Sequence, residues 1–206
     1  MMLLVMEVLM NELELINLKE QTLAESPFLC KNDYKMHELE VRVVLKNCDI
    51  IDPENIAHYI ARDGYFGLAK VLKMSRKDVI KQMKDSGLRG RGGGGFPTGL
   101  KWEFAYHNES SQKYIICNAD EGDPGAFMDR SVLEKDPHSV IEGMMIAGYS
   151  IGASIGYVYV RAEYPLAAKR IKKAIDDAMA MNILGDQIFC SEFNFKIEIR
   201  LGAGAF

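Results

Sequence analysis

Seven of the thirteen residues from Gly87 to Gly99 are glycine, and the run Gly87-Leu88-Arg89-Gly90-Arg91-Gly92-Gly93-Gly94-Gly95-Phe96-Pro97-Thr98-Gly99 continues into Leu100-Lys101-Trp102. Glycine at that density is entropically costly in an ordered chain. A reason to keep it is a ligand that must lie on the backbone itself, and a loop of free N–H groups opening into a helix suits a phosphate. Arg89, Arg91 and Lys101 add positive charge. Gly90, Gly92 and Gly95 satisfy G-x-G-x-x-G, yet the loop follows an expected helix, where a dinucleotide fingerprint follows a strand. Nor is it a Walker A loop, since Phe96-Pro97-Thr98 stands where Gly-Lys-Ser/Thr is required. A flexible linker is the alternative reading, although linkers of that kind carry serines and no ending such as Phe-Pro-Thr-Gly-Leu-Lys-Trp.

A second concentration of chemistry is Asn118-Ala119-Asp120-Glu121-Gly122-Asp123-Pro124-Gly125. It leaves an expected strand at its carboxyl end, where open α/β sheets place ligands. Carboxylates repel phosphates in a poorly solvated cleft. They suit instead the hydroxyls and ring N–H groups of a ligand, with Asn118 offering both a donor and an acceptor. A divalent metal is a competing reading, weakened by the lack of the D-x-D-x-D-G order and of a nearby histidine ligand. Plain turn acids are a third.

Other residues narrow the field. The 206-residue chain is 48% hydrophobic, long enough for one domain or one domain with an appendage. A formal charge of −4 offers no basic field for nucleic acid. Cys30, Cys48, Cys117 and Cys190 form no C-x-x-C, so no zinc or cluster site is read from them, and reduced, mostly buried thiols of a cytoplasmic protein are expected. His37, His58, His107 and His138 share no ligand spacing. The opening run Met1 to Met10 is too short to span a bilayer, which takes about 20 apolar residues. It also lacks the flanks of a secretory signal.

These loops need elements to hold them. Leu3 to Leu18 has helical spacing, and Glu25 to Glu40 reads as a linker, giving a helix and linker over 1–40 ahead of a domain over 41–206. Val41 to Leu45 is expected as the first strand. Asp52-Pro53-Glu54 is expected to start a helix that Gly64 ends. Ser75 and Asp78 resemble a capping box for a helix running to Gly87. Leu100 to His107 is expected as helix and Tyr114 to Cys117 as a short buried strand. A long apolar helix follows from Asp136-Pro137 to about Ser154, then a strand over Tyr157 to Val160 and an amphipathic helix over Pro165 to Met181. Phe193, Phe195, Ile197, Ile199 and Leu201 alternate with polar residues as a half-buried strand. The alternation predicts an α/β sandwich around a mostly parallel sheet, with an N-terminal helical appendage. Gly148, Gly152 and Gly156 fall every fourth position, which predicts close packing on the sheet rather than a membrane helix. Trp102 packs either under the glycine loop or as an anchor of its helix.

The segments GLRGRGGGGFPTGLKWEFA and CNADEGDPGAFMDRSVLEKDPHSVIEG, in that order, strongly resemble the flavoprotein subunit of complex I and its relatives in NAD(P)-linked hydrogenases and formate dehydrogenases. The resemblance runs from about Val41 to the end. Asp123, the run Phe127-Met128-Asp129-Arg130 and the run Arg161-Ala162-Glu163-Tyr164-Pro165-Leu166 are more similar to the hydrogenase-type branch. The resemblance implies FMN beneath the glycine loop and NADH or NADPH above it, with hydride passing directly to the flavin and no separate catalytic residue. It also implies that Gly90, Arg91, Gly92 and Lys101, with Gly93, Gly94 and Gly95 of the same loop, hold the flavin phosphate and ring. Asn118, Asp120 and Glu121 would meet its polar groups. Phe96 and Phe104 would stand around the adenine, and Glu121 and Asp123 near the nicotinamide half, with Asp123 one methylene shorter than the glutamate of the respiratory branch. Electrons would pass to iron–sulfur subunits of a multi-subunit complex, with neither nucleic acid nor direct membrane insertion involved. Full-length relatives continue past Gly202-Ala203-Gly204-Ala205-Phe206 into a C-G-E-E motif and a C-terminal [4Fe-4S] domain. A fragment is therefore expected, with a nucleotide-binding module without turnover as the alternative.

Overall fold

In a computed structural model, residues 2–30 and 39–203 are described, with side chains from residue 12 onward. Residues 31–38 of the expected linker, His37 among them, and the final Gly204-Ala205-Phe206 lie outside the described residues. Helix α1 (Met2–Glu25) is followed by a short 3-10 turn, Pro27–Cys30. Helices α2 (Ile56–Ala61), α3 (Phe66–Val71) and α4 (Arg76–Asp85) then lead through the glycine loop into α5 (Thr98–His107). Strand β1 (Tyr114–Ala119), helices α6 (Met128–Lys135) and α7 (Pro137–Ile151), strand β2 (Ile155–Arg161), helix α8 (Pro165–Ala180) and strand β3 (Lys196–Gly202) complete the order.

Among the described residues the sheet has three parallel strands in the order β1-β2-β3. Parallel neighbours need long crossovers, and here α7 and α8 supply them. One face, with Cys117, Val158 and Ile199 in one register row, lies against those helices. Helix α7 buries ten of its fifteen residues, because Ile141, Met144, Met145 and Ile151 meet both the sheet and the helices before it. A Cβ on Gly148 would stand 2.5 Å from the Phe195 ring, and one on Gly156 2.8 Å from Met144 and 2.9 Å from Phe195. The glycine spacing is thus close packing, as expected. Gly152 is the left-handed residue that ends α7, its N–H donating to Gly148 O at 2.9 Å.

Several expectations need correction. Val41 to Leu45 is turn and irregular chain, with Val41 83% and Val43 73% exposed. Its valines fit a strand, but among the described residues no neighbouring strand pairs with it, and propensity alone does not make a sheet. The helix expected at Asp52 starts at Ile56, because Asn55 supplies the cap by accepting from the Ala57 N–H at 3.0 Å. Asp52 instead accepts from the Glu54 N–H at 2.9 Å in a local turn. That helix ends at Ala61, short of Gly64. Strand β1 lies at the sheet edge and is not buried: Tyr114 and Ile116 are exposed. Phe193 and Phe195 precede β3 and pack as stacked rings 5.8 Å apart. Cys30 is exposed. The capping box is present, with Ser75 Oγ accepting from the Asp78 N–H at 3.2 Å.

A buried polar cluster ties α2 and α3 to α7. Glu142 accepts from Tyr59 OH (2.6 Å), Tyr65 N–H (2.9 Å) and Leu68 N–H (3.0 Å). Tyr65 OH and His138 Nδ1 are 2.7 Å apart. Leu15 of α1 belongs to the same core, so α1 is anchored on this body.

Candidate functional site

The glycine loop is a closed hairpin with an open tip. The Gly90 N–H donates to Phe96 O and the Thr98 N–H to Leu88 O, each at 2.9 Å, and Arg89 Nε donates to Gly95 O at 2.5 Å. Arg89 therefore braces the loop through Nε. Gly93 (φ 94°) and Gly95 (φ 58°) lie in the left-handed region that favours glycine. A Cβ on Gly92, Gly93 or Gly94 would meet nothing within 4 Å, so packing does not require glycine at the tip. The amides of Arg91 to Gly95 make no backbone hydrogen bond among the described residues, and Arg91 to Gly94 are exposed.

At the base of the loop α5 begins, held close to α4 because Gly99 has no side chain there. A cleft of about 660 Å³ opens between the loop, α5, α7 and β1. Gly90, Phe96, Lys101 and Trp102 face it from one side, and Tyr114, Ile116 and Cys117 from the other. That volume suits a small-molecule site, for which about 300–1,000 Å³ is usual. Trp102 does both things expected of it, lining the cleft and packing on the core. Phe104 lines a neighbouring groove that shares Ala105 and Tyr114 with the cleft. Its ring centroid is 6.4 Å from that of Phe96, and both rings are exposed. Burial, and secondarily the Asp129 carboxylate, pushes the Cys117 thiol up to about 11, so it stays protonated at neutral pH and lines the cleft as a small apolar group.

Asn118, Asp120, Glu121 and Asp123 do not line this cleft. They continue from it, since Asn118 directly follows Cys117 and a strand advances about 3.3 Å per residue. Asn118 Oδ1 accepts from the Asp120 N–H at 3.2 Å. The Asp120 side chain is 8% exposed, and its Oδ1 has no hydrogen-bond partner, with Arg161 Nε 3.7 Å away. Glu121 turns to α6: its Oε1 accepts from the Asp129 N–H at 3.0 Å and its Oε2 from the Arg130 N–H at 3.3 Å. That is a carboxylate at a helix start, favoured by the dipole. It gives one of the acids the structural turn role that was an alternative for all of them. Asp123 is exposed.

Sequence reasoning gave no site role to Arg161 or Tyr164, which meet this loop, nor to Asp129, whose carboxyl is raised by burial and by Glu121. The available signal was positional. Arg161 ends β2 as Asp120 follows β1, on adjacent parallel strands. Among the described residues no group of three or more His, Cys, Asp or Glu could hold a metal ion.

A parallel α/β domain with a glycine hairpin feeding a helix and a polar loop at the carboxyl end of its edge strand is the class defined here. The chain belongs to the Nuo51 FMN-binding domain family, whose model matches residues 83–206. NADP-reducing hydrogenase subunit HndC of Solidesulfovibrio fructosivorans is 62% identical over 167 residues, covering 81% of this chain and 34% of that protein. An NADH-quinone oxidoreductase subunit of Rhizobium meliloti (strain 1021) is 46% identical over 165 residues, covering 80% of this chain and 39% of that protein. A solved NAD+-reducing [NiFe]-hydrogenase in the H2-reduced state superposes with a TM-score of 0.62 at 30% identity, over 81% of this chain and 26% of that one. The chain spans between a third and two fifths of the length of these curated relatives.

Proposed function

We propose that this chain is the FMN-holding part of an NADH- or NADPH-oxidising flavoprotein subunit, taking hydride from the nicotinamide and passing electrons to iron–sulfur partners in a cytoplasmic complex. The observation that carries this reading is an open glycine hairpin on one wall of a cleft whose other wall, β1, runs on into the buried Asp120 carboxylate, inside the segment that matches the family. The residues present fit such a cofactor. The unbonded amides at the loop tip, with Arg91 and Lys101, suit its phosphate. The apolar walls from Trp102, Tyr114 and Ile116 suit an aromatic ring. Asn118 and Asp120 can accept from hydroxyl and ring N–H groups. When bound, FMN supplies the hydride-accepting ring, and the residues here bind it, orient it and shield it from water. Phe96 and Phe104 offer two exposed rings for the adenine of the dinucleotide, and Glu121 and Asp123 stand on the loop toward its nicotinamide half. Residues 41–206 form the binding unit in this reading. No described helix is long and apolar enough to cross a membrane.

The test is an FMN titration followed by quenching of flavin fluorescence, then anaerobic addition of NADH. Saturable quenching with bleaching of the flavin absorbance supports the whole reading. Quenching without bleaching supports a nucleotide-binding module without turnover, and no quenching at high FMN refutes both.

A further inference from the structure

We propose that Arg161 is the positioning residue of this site, clamping the loop after β1 so that the Asp120 carboxylate is held in place beside the cleft. The ligand named, FMN, rests on the function proposed above; the clamp rests on geometry alone. Ala119 pairs with Val160 in the parallel register, so Asp120 and Arg161 leave the sheet side by side. From there the guanidinium reaches three acceptors. Nη1 donates to the Glu121 main-chain O at 2.7 Å, Nη2 to Glu163 Oε1 at 3.3 Å, and Nε stands 3.7 Å from Asp120 Oδ1.

The loop is held again one residue on. Tyr164 OH lies 3.5 Å from Glu121 Oε2, and Arg161 and Arg130 lie 5.7 Å and 5.4 Å from the Tyr164 ring centroid. Backbone at Glu121 and side chains at Asp120 and Glu121 are thus fixed by β2, α6 and the start of α8. Within this braced loop, Asp120 Oδ1 and Arg161 Nε are buried without a hydrogen-bond partner. Buried polar atoms left without a hydrogen bond are rare and costly, and these two face each other 3.7 Å apart as an ion pair, so each is the other's nearest compensation. Only a planar fork makes several such contacts at once; lysine carries the charge on a single point.

The experiment compares Arg161→Gln, Arg161→Lys, Asp120→Asn and the Arg161→Gln/Asp120→Asn double variant in the full chain, by amide hydrogen exchange without ligand and by FMN titration. Arg161→Gln is expected to speed exchange of the Asp120, Ala126, Asp129 and Arg130 amides, whose hydrogen bonds lie within the loop or reach Glu121, at least tenfold while α7 and β3 keep their protection, and to weaken FMN binding at least tenfold. Arg161→Lys should recover part of that affinity. The double variant should bind within about twofold of Asp120→Asn, because Arg161 acts on the ligand through the placement of Asp120. Unchanged exchange of those four amides, or loosening of α7 and β3 by the same factor, overturns the clamp. If the wild-type chain binds no FMN, the FMN reading fails, and the exchange comparison still decides the clamp by the same two outcomes.

Discussion

A Cβ on Gly99 would stand 2.5 Å from the Lys84 backbone nitrogen, so α4 and α5 meet through main chain at the base of the glycine loop. This approach sets where the loop begins and ends. Gly99→Ala is expected to force the two helices apart at a cost of about 1–3 kcal/mol, with a Tm lower by roughly 5 °C. Thermal unfolding checks this, and an unchanged Tm would show that the contact yields freely.

The rings of Phe96 and Phe104 are 48% and 60% exposed, so neither owes its place to the core. Phe96→Ala and Phe104→Ala should each alter stability by less than about 0.5 kcal/mol. If the pair receives the adenine, each variant weakens NADH binding by roughly tenfold, about 1.4 kcal/mol, and Phe104→Ala, whose ring lies outside the cleft, leaves FMN affinity within about twofold. Calorimetric titration separates the two ligands; equal losses for both would remove the adenine assignment.

Burial holds His138 neutral and lowers its pKa to about 4, opposed in part by Asp177. The free imidazole titrates near 6.5, so below that pH the unfolded chain takes up a proton that the folded chain refuses. The histidine's effect is therefore absent above about pH 6.5, and stability is lost as pH falls from there to about 4, on the order of 3 kcal/mol in total. Asp136, raised by burial, slopes the other way, losing its contribution as pH rises. The comparison must therefore be with His138→Gln, which keeps a partner for Tyr65 OH. Urea unfolding from pH 7 to pH 4 should show a shallower decline in that variant, and parallel curves would refute the assignment.

Glu142 satisfies three donors from α2 and α3. Glu142→Ala strands the Tyr59 hydroxyl and two backbone N–H groups in the core, for which a loss of about 3 kcal/mol or more is expected. Chemical denaturation at pH 7 measures it. A loss below about 1 kcal/mol would mean that water reaches those donors.

Elements whose signal is local were legible in the residues. Ser75 with Asp78, Pro137 at the start of α7 and the alternation of Ile197 with Lys196 and Glu198 each act within a few positions, and the structure has them as read. Val41 to Leu45 misled because a strand needs a partner, and propensity does not say whether one is present. Asp52 and Asn55 are both good capping residues three apart, and the choice between them was made by where Tyr59 and Ile60 had to point to reach the core.

Glycine density, chain order and apolar period are properties of the chain, and they were enough to place a glycine loop and an acidic loop on a parallel α/β frame. What each charged side chain does was settled by folding. Arg89 became a brace and Glu121 a helix cap. Asp120 became a buried carboxylate facing Arg161 across two parallel strands, a pairing of residues 41 positions apart. Charge and spacing name the groups available, but hydrogen bonds and ion pairs act over a few ångströms, and only the folded chain says which groups stand that close.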